Sequence, residues 1–171
     1  MTDQGRVLIG GVGYRWQRDA SFGLAVSDAL ATLAWPEHVE VADLGYGALY
    51  VTQDLGDADP PYERLVLVSG TARGRAPGTL SCDRWRPALP AEAEIQERVR
   101  EAGAGVVDLD HLLIIASYFR ALPNEVISLE FEPVDVEGGD GLSPAATAVL
   151  PEAVSRARTL ALTPVRSKVQ A

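Results

Sequence analysis

Arg6-Val7-Leu8-Ile9-Gly10-Gly11-Val12-Gly13 is an apolar run that breaks directly into glycines. A strand with one wet face alternates apolar and polar residues, whereas a strand covered on both faces does not. Residues 6–12 therefore read as a buried strand of a parallel sheet. Leu65-Val66-Leu67-Val68 has the same character and is the clearest strand in the chain. Val39-Glu40-Val41-Ala42-Asp43 is a shorter one, residues 126–131 form another, and residues 79–85 suit an edge.

Helical spacing fills the intervals. Phe22, Val26, Leu30 and Leu33 recur at three- and four-residue steps, which predicts a helix over 21–33 stopped by Pro36. A short helix fits 49–55. Residues 90–102, with Pro90 at the first turn and only Ile95 and Val99 as strong apolar residues, suit an exposed helix closed by Gly103 and Gly105. Val106, Leu109, Leu113, Ala116 and Phe119 form a stripe that predicts a buried helix over 106–121. Ser143-Pro144 starts the last helix, 143–162, with a capping hydroxyl and a proline suited to the first turn.

This order predicts an α/β three-layer sandwich: a mostly parallel, twisted five-stranded sheet with helices on both faces. One domain over 1–163 and a tail over 164–171 suit a chain of 171 residues. Ligands of such folds sit outside the carboxyl ends of the strands, which gathers the loops 13–21, 45–48 and 69–77 around one site.

Composition narrows the function classes. Hydrophobic residues make up 47% and charged residues 23%, an ordinary globular balance. A net charge of −9 opposes nucleic-acid binding, which needs clustered Lys and Arg, but does not exclude a basic protein partner. The single cysteine, Cys82, excludes an intrachain disulfide and a CxxC metal knuckle. No apolar stretch approaches the roughly 20 residues of a membrane span, and no signal-peptide pattern precedes the first strand. A cytoplasmic protein is the simplest expectation.

Motifs for chemistry are sparse. Gly10-Gly11-Val12-Gly13 follows a strand, but the third glycine of a dinucleotide fingerprint would fall at Trp16. Neither a GKS or GKT phosphate loop nor G-x-S-x-G is present. His38 lies in a loop. Asp108 and His111, at i and i+3, could chelate a metal or form a helix-surface contact. Cys82 has only Arg84 and Arg86 as nearby activating groups, so a packed, inert thiol is expected.

Four stretches in order resemble the nickel-iron hydrogenase maturation endopeptidases. Leu122-Pro123-Asn124-Glu125-Val126, Leu129-Glu130-Phe131-Glu132-Pro133 and Gly141-Leu142-Ser143-Pro144 are similar to that family's "LPxEV…GIEP…GLSP". Residues 64–68 with Ala76-Pro77-Gly78-Thr79 are similar to "DRVVLVDA…PGT". Gly11-Val12-Gly13 through Asp19 to Gly23 is similar to "GxGNxLxxDDGxG", and residues 39–45 to "VEVVDLGT". The resemblance runs from about Val7 to Leu160.

The resemblance implies a protein that recognises nickel already inserted in a hydrogenase large subunit and cleaves that subunit's C-terminal extension. It implies three ligands to this substrate nickel: an acid in the first glycine loop, an Asp ending the third strand, and a His starting the helix before "LP". In this sequence those positions hold Ala20, Ser69 and Gly105. Ala and Gly carry no donor and a neutral serine hydroxyl is a poor one. Tyr14 and Tyr46 replace an Asn and a Thr of the family's recognition loops, with Trp16 beside them.

The expectation is a protease-like scaffold without resident cofactor, acting as a binding or assembly factor for a hydrogenase large subunit or another accessory protein. The alternative is an active metallo-endopeptidase with relocated ligands Asp19, Asp108 and His111. A third is a small-molecule site lined by Tyr14, Trp16 and Tyr46.

Overall fold

The computed structural model describes residues 4–165. Five strands, β1 (Val7–Val12), β2 (Val39–Asp43), β3 (Arg64–Gly70), β4 (Leu80–Arg84) and β5 (Glu125–Phe131), form one sheet in the order β2-β1-β3-β5-β4. All neighbours are parallel except β4 with β5. The helices are α1 (Phe22–Ala31), α2 (Ala48–Asp57), α3 (Glu92–Gly103), α4 (Leu109–Tyr118) and α5 (Pro144–Leu162). The three-layer α/β sandwich predicted from the apolar runs is thus the observed one.

Alternation through the sheet sorts the core into two layers. Val7, Ile9, Val66, Val68, Leu129 and Phe131 face α1 and α5, where Phe22 stacks on Phe131 with ring centroids 4.6 Å apart. Leu8, Leu65, Leu67 and Val126 face α2 and α4. Every residue of β1 is buried, as an unbroken apolar run requires. The chain leaves β1 through α1 to β2 on one side, then returns through α2 to β3 on the other. The carboxyl ends of β1 and β3 therefore flank the switch point of the sheet, where a crevice opens.

Two glycines set how closely α1 meets the sheet. A Cβ on Gly23 would lie 2.0 Å from the carbonyl oxygen of Val68, and one on Gly11 would lie 2.2 Å from the carbonyl oxygen of Gly23. At the opposite end, buried Arg64 pairs with Glu125 at 2.7 Å and donates to the carbonyls of Leu160 at 2.8 Å and Pro164 at 3.3 Å. That guanidinium takes up carbonyls that the end of α5 leaves without helical partners. Val165 packs against the same core layer. Residues 166–171, most of the tail expected over 164–171, lie outside the described residues.

Several boundaries differ from the sequence reading. α4 starts at Leu109 rather than Val106, because Asp108 caps it by accepting the His111 backbone N–H at 2.8 Å. It ends at Tyr118, and Arg120 turns the chain away at φ 58°. α3 starts at Glu92, since Ala91 is still extended. α1 is preceded by a 3-10 turn, Arg18–Ser21, inside what reads as a charged loop. Among the described residues no helix is long and apolar enough to cross a membrane.

Close approach at Gly23 gives a paired prediction. In an open helix Gly→Ala stabilises by about 0.8–1 kcal/mol. Gly56 of α2 has such room, its Cβ meeting only Ala121 at 3.9 Å. Gly56→Ala is expected to raise the urea midpoint. Gly23→Ala drives a methyl into backbone and is expected to cost about 3 kcal/mol, the upper end of overpacking penalties. Urea unfolding of both variants checks the pair; a neutral Gly23→Ala would show that α1 is not seated against the sheet.

Candidate functional site

Asp19, in the turn that leads from β1 to α1, is fully buried. Its carboxylate accepts four hydrogen bonds. Oδ1 takes the Ser143 N–H at 2.8 Å. Oδ2 takes the N–H groups of Val134 at 2.9 Å and Asp135 at 3.0 Å, and the Ser143 hydroxyl at 2.8 Å. Burial acts to raise its pKa, but these donors outweigh it and hold Asp19 below the usual carboxylate range. Asp19 is therefore a tie between the first glycine loop, the loop after β5 and the start of α5. Ser143 caps α5 by accepting the Ala146 N–H at 3.2 Å, so the same hydroxyl serves both contacts.

Ser69 and the turn that carries Asp19 and Ala20 lie at the same end of the sheet. Ser69 pairs with Val12 across β1 and β3, and a Cβ on neighbouring Gly70 would meet the Asp19 carbonyl at 2.0 Å. Ala20 is buried and its carbonyl accepts the Tyr14 N–H at 3.1 Å. The buried Ser69 hydroxyl shares a hydrogen bond with Thr71 Oγ1 at 2.7 Å. Gly105 lies apart, exposed in the loop between α3 and α4 at φ 104°, a conformation that a histidine rarely adopts.

Tyr14 links the two walls. Its backbone holds Ala20, and its hydroxyl accepts the Val107 N–H at 2.8 Å, two residues beyond Gly105. Burial is the main cause of its raised pKa, so the hydroxyl remains protonated. Tyr14, Trp16, Asp43, Gly45 and Val107 line a crevice of about 350 Å³. A second hollow of about 400 Å³ shares Val107 and adds Tyr46, Tyr50 and Gly105. The Tyr46 hydroxyl donates to Asp54; Tyr46 is 48% exposed and Trp16 66%.

The relocated-ligand trio is not assembled. Asp108 and His111 do meet, Oδ1 to Nδ1 at 2.8 Å, but His111 Nε2 faces Glu101 Oε2 at 2.7 Å. Both ring nitrogens are thus engaged, and the two carboxylates lie on opposite sides of the ring. Asp19 is committed to Val134, Asp135 and Ser143. Among the described residues no group of three His, Cys, Asp or Glu side chains could hold a metal ion.

Sequence reasoning missed an ionic cluster next to Ser69. Glu130 of β5 is the in-register partner of Ser69 and is 5% exposed. Its Oε2 receives Arg73 Nε at 2.8 Å, and the two terminal nitrogens of Arg73 grip both oxygens of Asp110 on α4, each at 2.8 Å. Arg75 approaches Glu130 at 3.5 Å and pairs with Asp83 at 3.1 Å. Buried Glu132 accepts the backbone N–H groups of Arg73 at 2.8 Å and Gly74 at 3.2 Å. The loop after β3 is thereby clamped to β5 and α4. A charged residue inside the apolar run 126–131 was the available signal. Cys82, on β4, is held protonated mainly by burial.

Asp19 yields a pH prediction. Its folded pKa is depressed, so its stabilisation is complete above the ordinary carboxylate pKa near about 4 and is lost as pH falls through the folded value. Asp19→Asn is expected to cost about 3 kcal/mol at pH 7, since the amide N–H₂ faces donors. The variant should also lose less stability than the parent between about pH 5 and 3. Urea unfolding across that range measures both; parallel pH profiles would contradict the assignment.

No family model matches the chain, and no curated protein matches it. Solved structures do. A hydrogenase 2 maturation peptidase from a Thaumarchaeota archaeon is 28% identical, with TM-score 0.63, covering 92% of this chain and 99% of that one. The hydrogenase maturating endopeptidase HybD of E. coli is 20% identical, with TM-score 0.67 and 91% of each chain covered. A [NiFe] hydrogenase maturation protease from Thermococcus kodakarensis is 21% identical, with TM-score 0.62, covering 91% of this chain and 99% of its own. The structural neighbours of this chain are hydrogenase maturation proteases, and it has their fold over nearly its whole length.

Proposed function

We propose that this chain is a hydrogenase maturation protease-like protein that has given up nickel-dependent cleavage and serves as a cytoplasmic binding or assembly factor. Its partner on this reading is a nickel-iron hydrogenase large subunit or an accessory protein of the same maturation process. The observation that carries the reading is the donor chemistry at the three positions that the resemblance assigns to nickel ligands. Ala20 and Gly105 have no donor side chain, and the Ser69 hydroxyl is a neutral, poor ligand already engaged by Thr71. These residues do not fit a nickel ion presented by a substrate, so no cleavage step is derived through one.

The surrounding charges support the same reading. A side chain that recruits a metal must keep lone pairs free for it. Here Glu130 and Asp110 are paired with Arg73, Glu132 accepts two backbone N–H groups, and Asp19 accepts four hydrogen bonds. A guanidinium against this wall also repels an arriving divalent cation. The crevice itself remains open between Tyr14, Trp16 and Gly45, which leaves binding without catalysis as the activity the geometry favours.

Purified protein mixed with a nickel-loaded hydrogenase large-subunit precursor tests this directly. The expected result is a complex by size-exclusion chromatography, with the precursor's C-terminal extension intact by mass spectrometry. Cleavage abolished by His111→Ala would overturn the reading in favour of relocated ligands. Failure to bind the precursor or any hydrogenase accessory protein would remove the assembly role.

A further inference from the structure

We infer that Trp16, Val134 and Val136 form a preorganised docking platform for a basic, apolar segment of a partner protein. The inference deepens the binding role proposed above and rests on it for the partner's identity, but not for the platform's chemistry. Trp16 is 66% exposed, Val134 51% and Val136 52%. Single exposed apolar side chains are ordinary; here three are carried by two segments whose backbones are hydrogen-bonded to each other.

The frame is stitched at every level. The Asp19 N–H donates to the Asp135 carbonyl at 2.9 Å, while the Val134 and Asp135 N–H groups donate to the Asp19 carboxylate. The backbone around the valines is thus turned inward, and their side chains are left outward. The Gly139 N–H donates to the Trp16 carbonyl at 2.9 Å, and the Arg18 N–H to the Gly139 carbonyl at 3.3 Å. Arg18 also pairs with Asp135 at 3.4 Å and holds φ 41°, a left-handed conformation unfavourable for a residue with a Cβ. A surface held this rigidly loses little conformational entropy on binding.

Charge commits the occupant. Arg18 is neutralised by Asp135, and Arg15, on the other side of Trp16, by Asp28 and Asp43. Glu137 and Asp140 are exposed in the same loop and form no ion pair among the described residues. The platform is therefore apolar with an acidic margin, on a chain of net charge −9. Its complement is a segment with Lys or Arg beside apolar side chains, steered by charge and anchored on the indole.

The test uses the full chain, a variant carrying Trp16→Ser, Val134→Ser and Val136→Ser, and three peptides: Lys/Val, Glu/Val and Lys/Ser. Circular dichroism confirms that the variant is folded; should it not be, Val136→Ser alone replaces it. Binding is read by fluorescence anisotropy at low and high salt. The expected result is preference for the Lys/Val peptide, weakened by salt, and at least about tenfold weaker in the variant. Equal binding of Lys/Val and Glu/Val peptides, or an unchanged variant, overturns the platform. So does a concentration-dependent dimer of the parent that the variant loses, since the occupant is then a second copy. The large-subunit precursor is measured in parallel. A parent that binds the Lys/Val peptide but not the precursor keeps the platform and removes the hydrogenase partner. A precursor bound equally by parent and variant, with no peptide preference, does the reverse.

Discussion

One buried carboxylate organises the end of the sheet where the crevice lies. Asp19 brings a full charge into the interior, a placement tolerated only when the charge is hydrogen-bonded from several sides. Its donors come from the loop after β5 and the cap of α5, 115 to 124 residues further along. Satisfying that carboxylate therefore requires the first glycine loop, β5 and α5 to close on one another. Gly13 and Gly70 complete the constraint, because a side chain at either would strike the backbone of Ala20 or Asp19. The crevice walls inherit their positions from this knot.

Within that frame the sheet end beside Ser69 is held by a network of ion pairs. Ser69 and Glu130 are in-register partners on adjacent strands, so their side chains leave the same face of the sheet. A buried glutamate at 130 needs a counter-charge, and Arg73 supplies it while reaching across to Asp110 on α4. Arg75 and the acceptance of two backbone N–H groups by Glu132 fix the rest of the loop. The acidity of this wall is thus bound up in internal pairs, which rigidify the loop and leave little with which to hold an external cation.

The layers of the fold were legible in the sequence because apolar runs and glycines report burial locally. Val7-Leu8-Ile9 and Leu65-Val66-Leu67-Val68 announce strands covered on both faces, and Ser143-Pro144 announces a helix start. The start of α4 was missed because Val106 continues the apolar stripe, although Asp108 caps the helix three residues before His111. The knot at Asp19 was not legible. Its partners are mostly backbone N–H groups, which carry no residue signature, and they lie far away in the chain. The role of Glu130 was hidden for the same reason: an acid in a strand looks like an outward residue until its neighbour strand and Arg73 are placed.

Asp19 and Ala20 contribute to this frame in different ways. By resemblance the two positions are a pair of acids in related proteins, the second facing the substrate metal. Here the first acid holds three segments together through four hydrogen bonds, and its loss would leave buried donors unpaired. The second position contributes to the frame only through its backbone, since the Ala20 carbonyl takes the Tyr14 N–H whatever the side chain. Stability therefore constrains the side chain of Asp19, whereas position 20 enters the frame through its backbone carbonyl.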